Sequence, residues 1–426
     1  MPTRWSFLPC SRFRTAWKLA VAVATLLLLA GGAGAQVSPY TFERNGTRRV
    51  KMPFEFQRNL IVVPVYLNGQ GPYNFLLDTG VATSLITDPK LRETLNLKIG
   101  GEFRVAGLGE DEPLLAYRTD GVAVTMNGVV GPSITFLVLS NDVLNLSGYV
   151  GMTIHGILGF DVFRSFVVEV DPMEPALIFH DPKRYRQPKG RRWTRVPLEL
   201  EGSKAYMTVP VTLQDTLTLP LKLILDTGAG HALSIETHSD PRLKVPAQRL
   251  RTQLGRGLSG NINGFLGRVG GLQLGQYRLT SPLTSFPDSS NVVLRTDANR
   301  NGNVGFEMLK RFRLVIDYPH NRLLLRPNAL FHDPFEHDMC GFELLASGPD
   351  FRRYIVLKVH PNSPASAAGL QTNDEILSVN LQPVAGMNLT QISRLFHSAD
   401  GRQLLLIVRR ADGELRTTTV KLKRQI

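Results

Sequence analysis

The tripeptide Asp-Thr-Gly occurs twice in this chain of 426 residues, as Asp78-Thr79-Gly80 and Asp226-Thr227-Gly228, each time closing an apolar run. Asn74-Phe75-Leu76-Leu77 leads into the first and Leu223-Ile224-Leu225 into the second. At average residue usage one such tripeptide arises by chance in roughly one chain in ten of this length, and two in matched settings far more rarely. Two carboxylates presented alike on two copies of one unit suggest a symmetric pair. Such a pair can share one proton and perform acid–base chemistry on an amide.

The surroundings repeat as well. Ile61-Val62-Val63-Pro64-Val65 precedes the first motif and Met207-Thr208-Val209-Pro210-Val211 the second. Downstream, Ile157-Leu158-Gly159 and then Phe160 to Phe166 run into a strand ending near Asp171-Pro172. The second copy has Asn303-Val304-Gly305, then Phe306 to Phe312, then a strand ending at Asp317-Tyr318-Pro319. Short apolar strands follow both, Ala176 to Phe179 and Arg322 to Leu325. A repeat of about 150 residues is too long for a solenoid and suits duplicated lobes. Between these landmarks lie short alternating or β-branched runs broken by Gly, Pro, Asn and Asp, such as Gly121 to Met126, Ser133 to Leu139 and Gly271 to Leu274. They predict strands. The Phe160 and Phe306 segments predict helices of about two turns.

This pattern resembles the aspartic proteases, and the retropepsin-like branch more than pepsin. The resemblance covers about residues 60–326. It implies a mainly β fold: a two-lobed pepsin/retropepsin-like β-barrel pseudo-dimer, with lobe one at 36–190 and lobe two at 191–328. It implies Asp78 and Asp226 as the catalytic pair and no cofactor or metal. Thr79 and Thr227 would each bond the opposite loop, and Gly80 and Gly228 would suit a loop too tight for side chains. Each lobe would carry a flap, with Gly107, Leu108 and Gly109 in one and Gly255 and Gly257 in the other. The chain departs from the family after the first Gly, where Ser or Ala is common and Val81 stands; lobe two has Ala229.

Arg4, Arg12, Arg14 and Lys18 precede the apolar stretch Leu19 to Ala30, and Ala33-Gly34-Ala35 offers a small-residue cleavage pattern. This order reads as a secretory signal peptide over 1–35, hence a periplasmic or secreted protein. Its removal lowers the formal net charge from +13 to +9, by four basic residues and no acidic one. The remaining basic residues are dispersed except in Lys183 to Arg195, which we read as a solvated connector, so no nucleic-acid partner is expected. Cys10 leaves with the signal and Cys340 has no partner, so the cores alone must hold the fold.

After a polar linker at 329–338 the character changes. The run Ser363-Pro364-Ala365-Ser366-Ala367-Ala368-Gly369-Leu370, followed by Asn373-Asp374-Glu375-Ile376-Leu377-Ser378-Val379-Asn380, resembles a PDZ domain of the kind found in bacterial proteases, over 339–426. The resemblance implies an α+β module whose Cys340-Gly341-Phe342 loop offers N–H groups to a peptide's C-terminal carboxylate, with Thr390 to Ala399 as the bordering helix. A PDZ domain packed on the protease as scaffold or gate is the alternative. Asp297 to Asn303 resembles the start of a calcium loop, but its twelfth position is Met308, so a turn is expected. His231, five residues after Asp226, could border the cleft, although a packing role is the commoner one. The expectation is a monomeric aspartic endopeptidase acting on peptides or unfolded proteins. The competing class is an inactive peptide-binding scaffold that keeps the fold.

Overall fold

The computed structural model describes residues 38–105, 113–213, 217–257, 260–288 and 300–426. The proposed signal segment, the flap residues Gly107, Leu108 and Gly109, and the start of the calcium-like loop lie outside them. The chain is mainly β.

The strand Leu60–Leu67 buries alternate residues at its polar end and all of them at its start, and the Asn68-Gly69 turn returns it as Gln70–Leu77. Asn68 and Gly69 both take left-handed backbone, φ 50° and 77°, as a two-residue hairpin turn demands. Gln70–Leu77 ends in three buried residues, Phe75, Leu76 and Leu77, because there it becomes an inner strand. It is paired in parallel with Gly156–Leu158, which is itself antiparallel to Ser84–Ile86. Lobe two repeats this. Lys204–Thr212 pairs with Thr218–Leu225, which pairs in parallel with Gly302–Val304, which is antiparallel to Leu233–Ile235. Among the described residues the first set belongs to a nine-stranded sheet and the second to a ten-stranded one. The short helices Phe160–Ser165 and Phe306–Leu309 follow the two apolar-Gly strands, as the sequence predicts.

The two lobes do not have separate cores. A third sheet, of six strands, is assembled from both: Val167–Asp171 of the first lies antiparallel to Phe312–Asp317 of the second at its centre. One apolar cluster runs from Tyr40 to Phe335 and takes in Phe75, Phe163, Leu223, Phe306 and Phe312. Tyr318 of lobe two stacks on Phe160 and Phe163 of lobe one, with ring centroids 6.0 and 5.6 Å apart. The C-terminal module has its own core around Tyr354, Ile376, Ile392, Phe396 and Leu406.

The segment expected as a polar linker is pinned instead. The Arg311 guanidinium is 1% exposed, donates to the carbonyls of Leu330 (3.0 Å), Asp333 and Pro334 (3.3 Å), and lies 3.7 Å over the Phe335 ring. Residues 329–338 thus fold onto the two-lobed body.

Candidate active site

Each Asp leaves the end of an inner strand and is anchored by its backbone: Asp78 N–H donates to Leu158 O (2.9 Å) and Asp226 N–H to Val304 O (3.0 Å). The apolar-Gly strands therefore hold the two loops at the same depth.

The threonines then lock the loops together. Thr79 Oγ1 donates to Leu225 O (2.6 Å) and accepts from Thr227 N–H (2.9 Å). Thr227 Oγ1 donates to Leu77 O (2.9 Å) and accepts from Thr79 N–H (3.0 Å). Both threonines are essentially inaccessible, at 0% and 1%. Four reciprocal bonds in a dry setting leave the two loops little freedom to slide past one another.

The carboxylates meet above this lock. Gly80 N–H donates to Asp78 Oδ1 (2.6 Å), and Gly228 N–H lies 3.2 Å from both Asp78 Oδ1 and Asp226 Oδ1. A Cβ on Gly228 would overlap the Asp78 carboxylate, and one on Gly80 would sit 3.1 Å from an oxygen of each Asp. Space rather than backbone angle requires glycine at 228 and makes a side chain at 80 tight. Burial, the charge of Asp226 and a carboxyl–carboxyl hydrogen bond raise Asp78 to about 7, against two backbone N–H donors that lower it. Asp78 thus favours the protonated form at mildly acidic pH.

The other site residues fall variously. Gly255 and Gly257 lie in the hairpin of Arg249–Gly257 and Gly260–Arg268, with Gly255 at a bulge opposite Ile262. The hairpin strands Ile99–Val105 and Leu114–Met126 of lobe one flank its expected flap. Val81 O accepts from Phe160 N–H (3.0 Å), and its side chain packs against the apolar cluster that includes Leu60, Leu76, Leu85 and Ile157. His231 Nε2 lies 3.0 Å from Asn303 Oδ1, and Asn303 Nδ2 donates to Asp226 Oδ2 (2.6 Å). Sequence reasoning missed Asn303. The available signal was the mismatch of Asn303-Val304-Gly305 with Ile157-Leu158-Gly159.

The C-terminal loop is occupied from within the chain. The N–H groups of Cys340 (3.2 Å), Gly341 (2.5 Å) and Phe342 (3.2 Å) all donate to the Asp338 carboxylate. Burial raises Asp338 to about 6 despite these donors. The strand that follows, Phe342–Ser347, and the helix Leu389–Phe396 are met by residues 148–151 of lobe one: a Cβ on Gly148 would lie 2.8 Å from Leu345 Cδ1, and one on Gly151 2.9 Å from Leu389 Cβ. Arg58 N–H donates to Thr390 Oγ1 (3.0 Å), which donates to Gln57 Oε1 (2.8 Å).

Residues 63–162 match the family model described as aspartyl protease, and residues 355–410 match that of the PDZ domain. The chain thus carries an aspartyl protease domain and, toward its C-terminus, a PDZ domain. The first match contains Asp78 and Ile157 to Gly159, while Asp226 lies beyond it. No curated protein matches. A solved structure named photosystem II D1 C-terminal processing protease is 26% identical over 19% of this chain and 22% of its own, with a TM-score of 0.18. The match therefore spans about a fifth of that protein's length.

Proposed function

We propose that the protein is an exported aspartic endopeptidase that hydrolyses peptide bonds with a water activated between Asp78 and Asp226. The observation that carries this reading is the junction of the two loops: four Thr–backbone bonds fix them, and one N–H, that of Gly228, lies within 3.2 Å of an oxygen of each Asp. In the reaction the ionised carboxylate takes a proton from water as its oxygen bonds to the carbonyl carbon. The protonated carboxyl gives its proton to the carbonyl oxygen. Collapse of the resulting gem-diol breaks the C–N bond, and the dyad returns a proton to the leaving amine. No metal and no covalent enzyme intermediate is needed. The Gly-containing hairpin at 249–268 would close over an extended peptide and exclude water.

Both Asp loops lie in one chain, so a monomer suffices. The basic start, apolar stretch and Ala33-Gly34-Ala35 support export to the periplasm or beyond. The PDZ domain, with its carboxylate loop filled by Asp338 and its groove elements against the protease, serves here as a docked module rather than an open peptide receptor.

The test is digestion of a peptide library by the protein lacking residues 1–35, from pH 3 to 8, beside Asp78→Asn and Asp226→Asn. Cleavage that either substitution abolishes is the expected result. A folded protein that cleaves nothing at any pH would leave the scaffold role instead, and cleavage surviving both substitutions would remove the dyad.

A further inference from the structure

The two halves of the dyad sit in different surroundings. Ile157 and Asn303 occupy the same place: Ile157 is paired in parallel with Leu76, two residues before Asp78, and Asn303 with Ile224, two residues before Asp226. On the Asp78 side Ile157 joins an apolar cluster with Leu60, Val62, Leu76, Leu85 and Ile154. On the Asp226 side Asn303 Nδ2 donates to Asp226 Oδ2 at 2.6 Å. The loop after Asp78 has Ala82 and Thr83 where the loop after Asp226 has His231.

We propose that Asn303 and His231 are positioning residues that break the symmetry of the dyad, holding Asp226 as the ionised member and leaving the shared proton on Asp78. This rests on the peptidase reading above. An amide can turn either end to a carboxylate, and only its NH2 end stabilises the charge. Burial lowers the His231 pKa and so favours the neutral ring, in which one nitrogen carries a hydrogen. With that hydrogen on Nε2, His231 donates to Asn303 Oδ1, and this forces the NH2 of Asn303 toward Asp226. Among the described residues no N–H donor reaches Asp78 Oδ2, which is free to carry the proton. The apolar packing beneath Asp78 disfavours its charge, and its raised pKa agrees. The other titratable groups facing the pair are Lys204, with its pKa lowered by burial and the nearby Arg300, and Tyr318, buried and held well above the usual phenol range. Neither hydrogen-bonds Asp226, so the Asn303 amide makes the difference between the two carboxylates. Asp226 is then the base that takes the water proton, and Asp78 the acid that protonates the carbonyl oxygen.

The experiment is the pH profile of kcat and KM for a library-derived peptide with Asn303→Leu, His231→Leu and His231→Gln, beside carboxylate titration by carbon NMR of protein labelled at the Asp side-chain carbon. Removing a donor from the ionised carboxylate makes it easier to protonate, so Asn303→Leu should move the acidic limb up by about 1 pH unit and lower kcat about tenfold at pH values below the limb, with KM changed less than about threefold. His231→Leu should shift the same limb by a smaller amount. His231→Gln, which can place an N–H near the Nε2 position, should recover at least half of that smaller shift. In the titration, Asp78→Asn and Asp226→Asn assign the signals, and the carboxyl still protonated at pH 5 should be Asp78. A folded, active Asn303→Leu with an unmoved acidic limb overturns the proposal and leaves the peptidase intact. If the folded wild type cleaves nothing, the peptidase reading fails, and the titration alone decides: a protonated Asp226 beside an ionised Asp78 overturns the asymmetry. The titration also decides if Asn303→Leu does not fold.

Discussion

The Thr79 hydroxyl is worth more than one hydrogen bond because both its donor and acceptor roles are used in a dry place. Thr79→Val keeps the shape and strands Leu225 O and Thr227 N–H, so we expect a loss of about 3 kcal/mol in denaturant unfolding, with Thr79→Ser losing under half of that. Gly228→Ala tests space instead of bonding. Its Cβ would collide with the Asp78 carboxylate, so kcat/KM should fall at least about 100-fold, and more than for Gly80→Ala, where the contacts are 3.1 Å. The pKa of Asp78 has a stability consequence with a definite sign. Its folded value, about 7, lies above the ordinary Asp value of about 4, so between these pH values the folded state binds more protons. Stability contributed by this group is therefore full below about pH 4, is lost as pH rises toward 7, and is level above that. Asp78→Asn should lack this loss, and between pH 4 and 8 wild type should lose on the order of 2 kcal/mol more than the variant, an amount trimmed by the partial exposure of the carboxyl to the cleft. Parallel curves for the two proteins would contradict it. Both Asp residues, with Thr79, Thr227 and the two glycines, were legible in the sequence because a short motif states its own local chemistry. Val81 drew attention as the point of departure from the family, and it packs against an apolar cluster, while a further asymmetry lies at Ile157 and Asn303.

At the scale of elements, the turn between Glu55–Gln57 and Leu60–Leu67 joins three parts of the molecule. Asn59 Nδ2 donates to Gly230 O (3.0 Å) in the loop after Asp226, Lys310 Nζ donates to Asn59 Oδ1 (3.0 Å), and Arg58 lies 4.6 Å over the Tyr149 ring while its N–H reaches Thr390. Asn59 itself has φ 62°, a left-handed conformation that Asn tolerates better than Ala. Asn59→Ala should cost about 2 kcal/mol in thermal or denaturant unfolding, and Asn59→Gly, which relieves the backbone, measurably less. Strand and helix positions were readable because apolar periodicity and Gly/Pro/Asn punctuation act over a few residues. The helix expected over Thr390 to Ala399 runs over Leu389–Phe396, begun by a capping box of Asn388 and Gln391 that the sequence displays. The segment 329–338 reads as a polar linker, and its pinning was not legible because it depends on Arg311, some twenty residues earlier in the chain.

For the whole molecule, the Cys340-Gly341-Phe342 loop is already engaged by Asp338, and the strand Phe342–Ser347 and helix Leu389–Phe396 by residues 148–151. Carboxylate-terminated peptides should show no saturable binding to the intact chain below about 1 mM by fluorescence anisotropy, and Asp338→Ala should tighten binding at least about tenfold, with C-terminally amidated peptides unaffected. Tight binding to the unaltered protein would mean that Asp338 gives way readily and that the docked state is one of several. The sequence by itself determined the chemistry on offer: two matched acid loops, a duplicated β unit and a C-terminal module of a different kind, because each is written in contiguous residues whose types have local physical meaning. Only the tertiary structure decided how these parts share one body. The central sheet that fuses the lobes, the Asn303 and His231 contacts that make two identical motifs unequal, and the internal carboxylate in the PDZ loop all depend on which side chains meet across distant segments. Such meetings are set by packing and register, which no local pattern encodes.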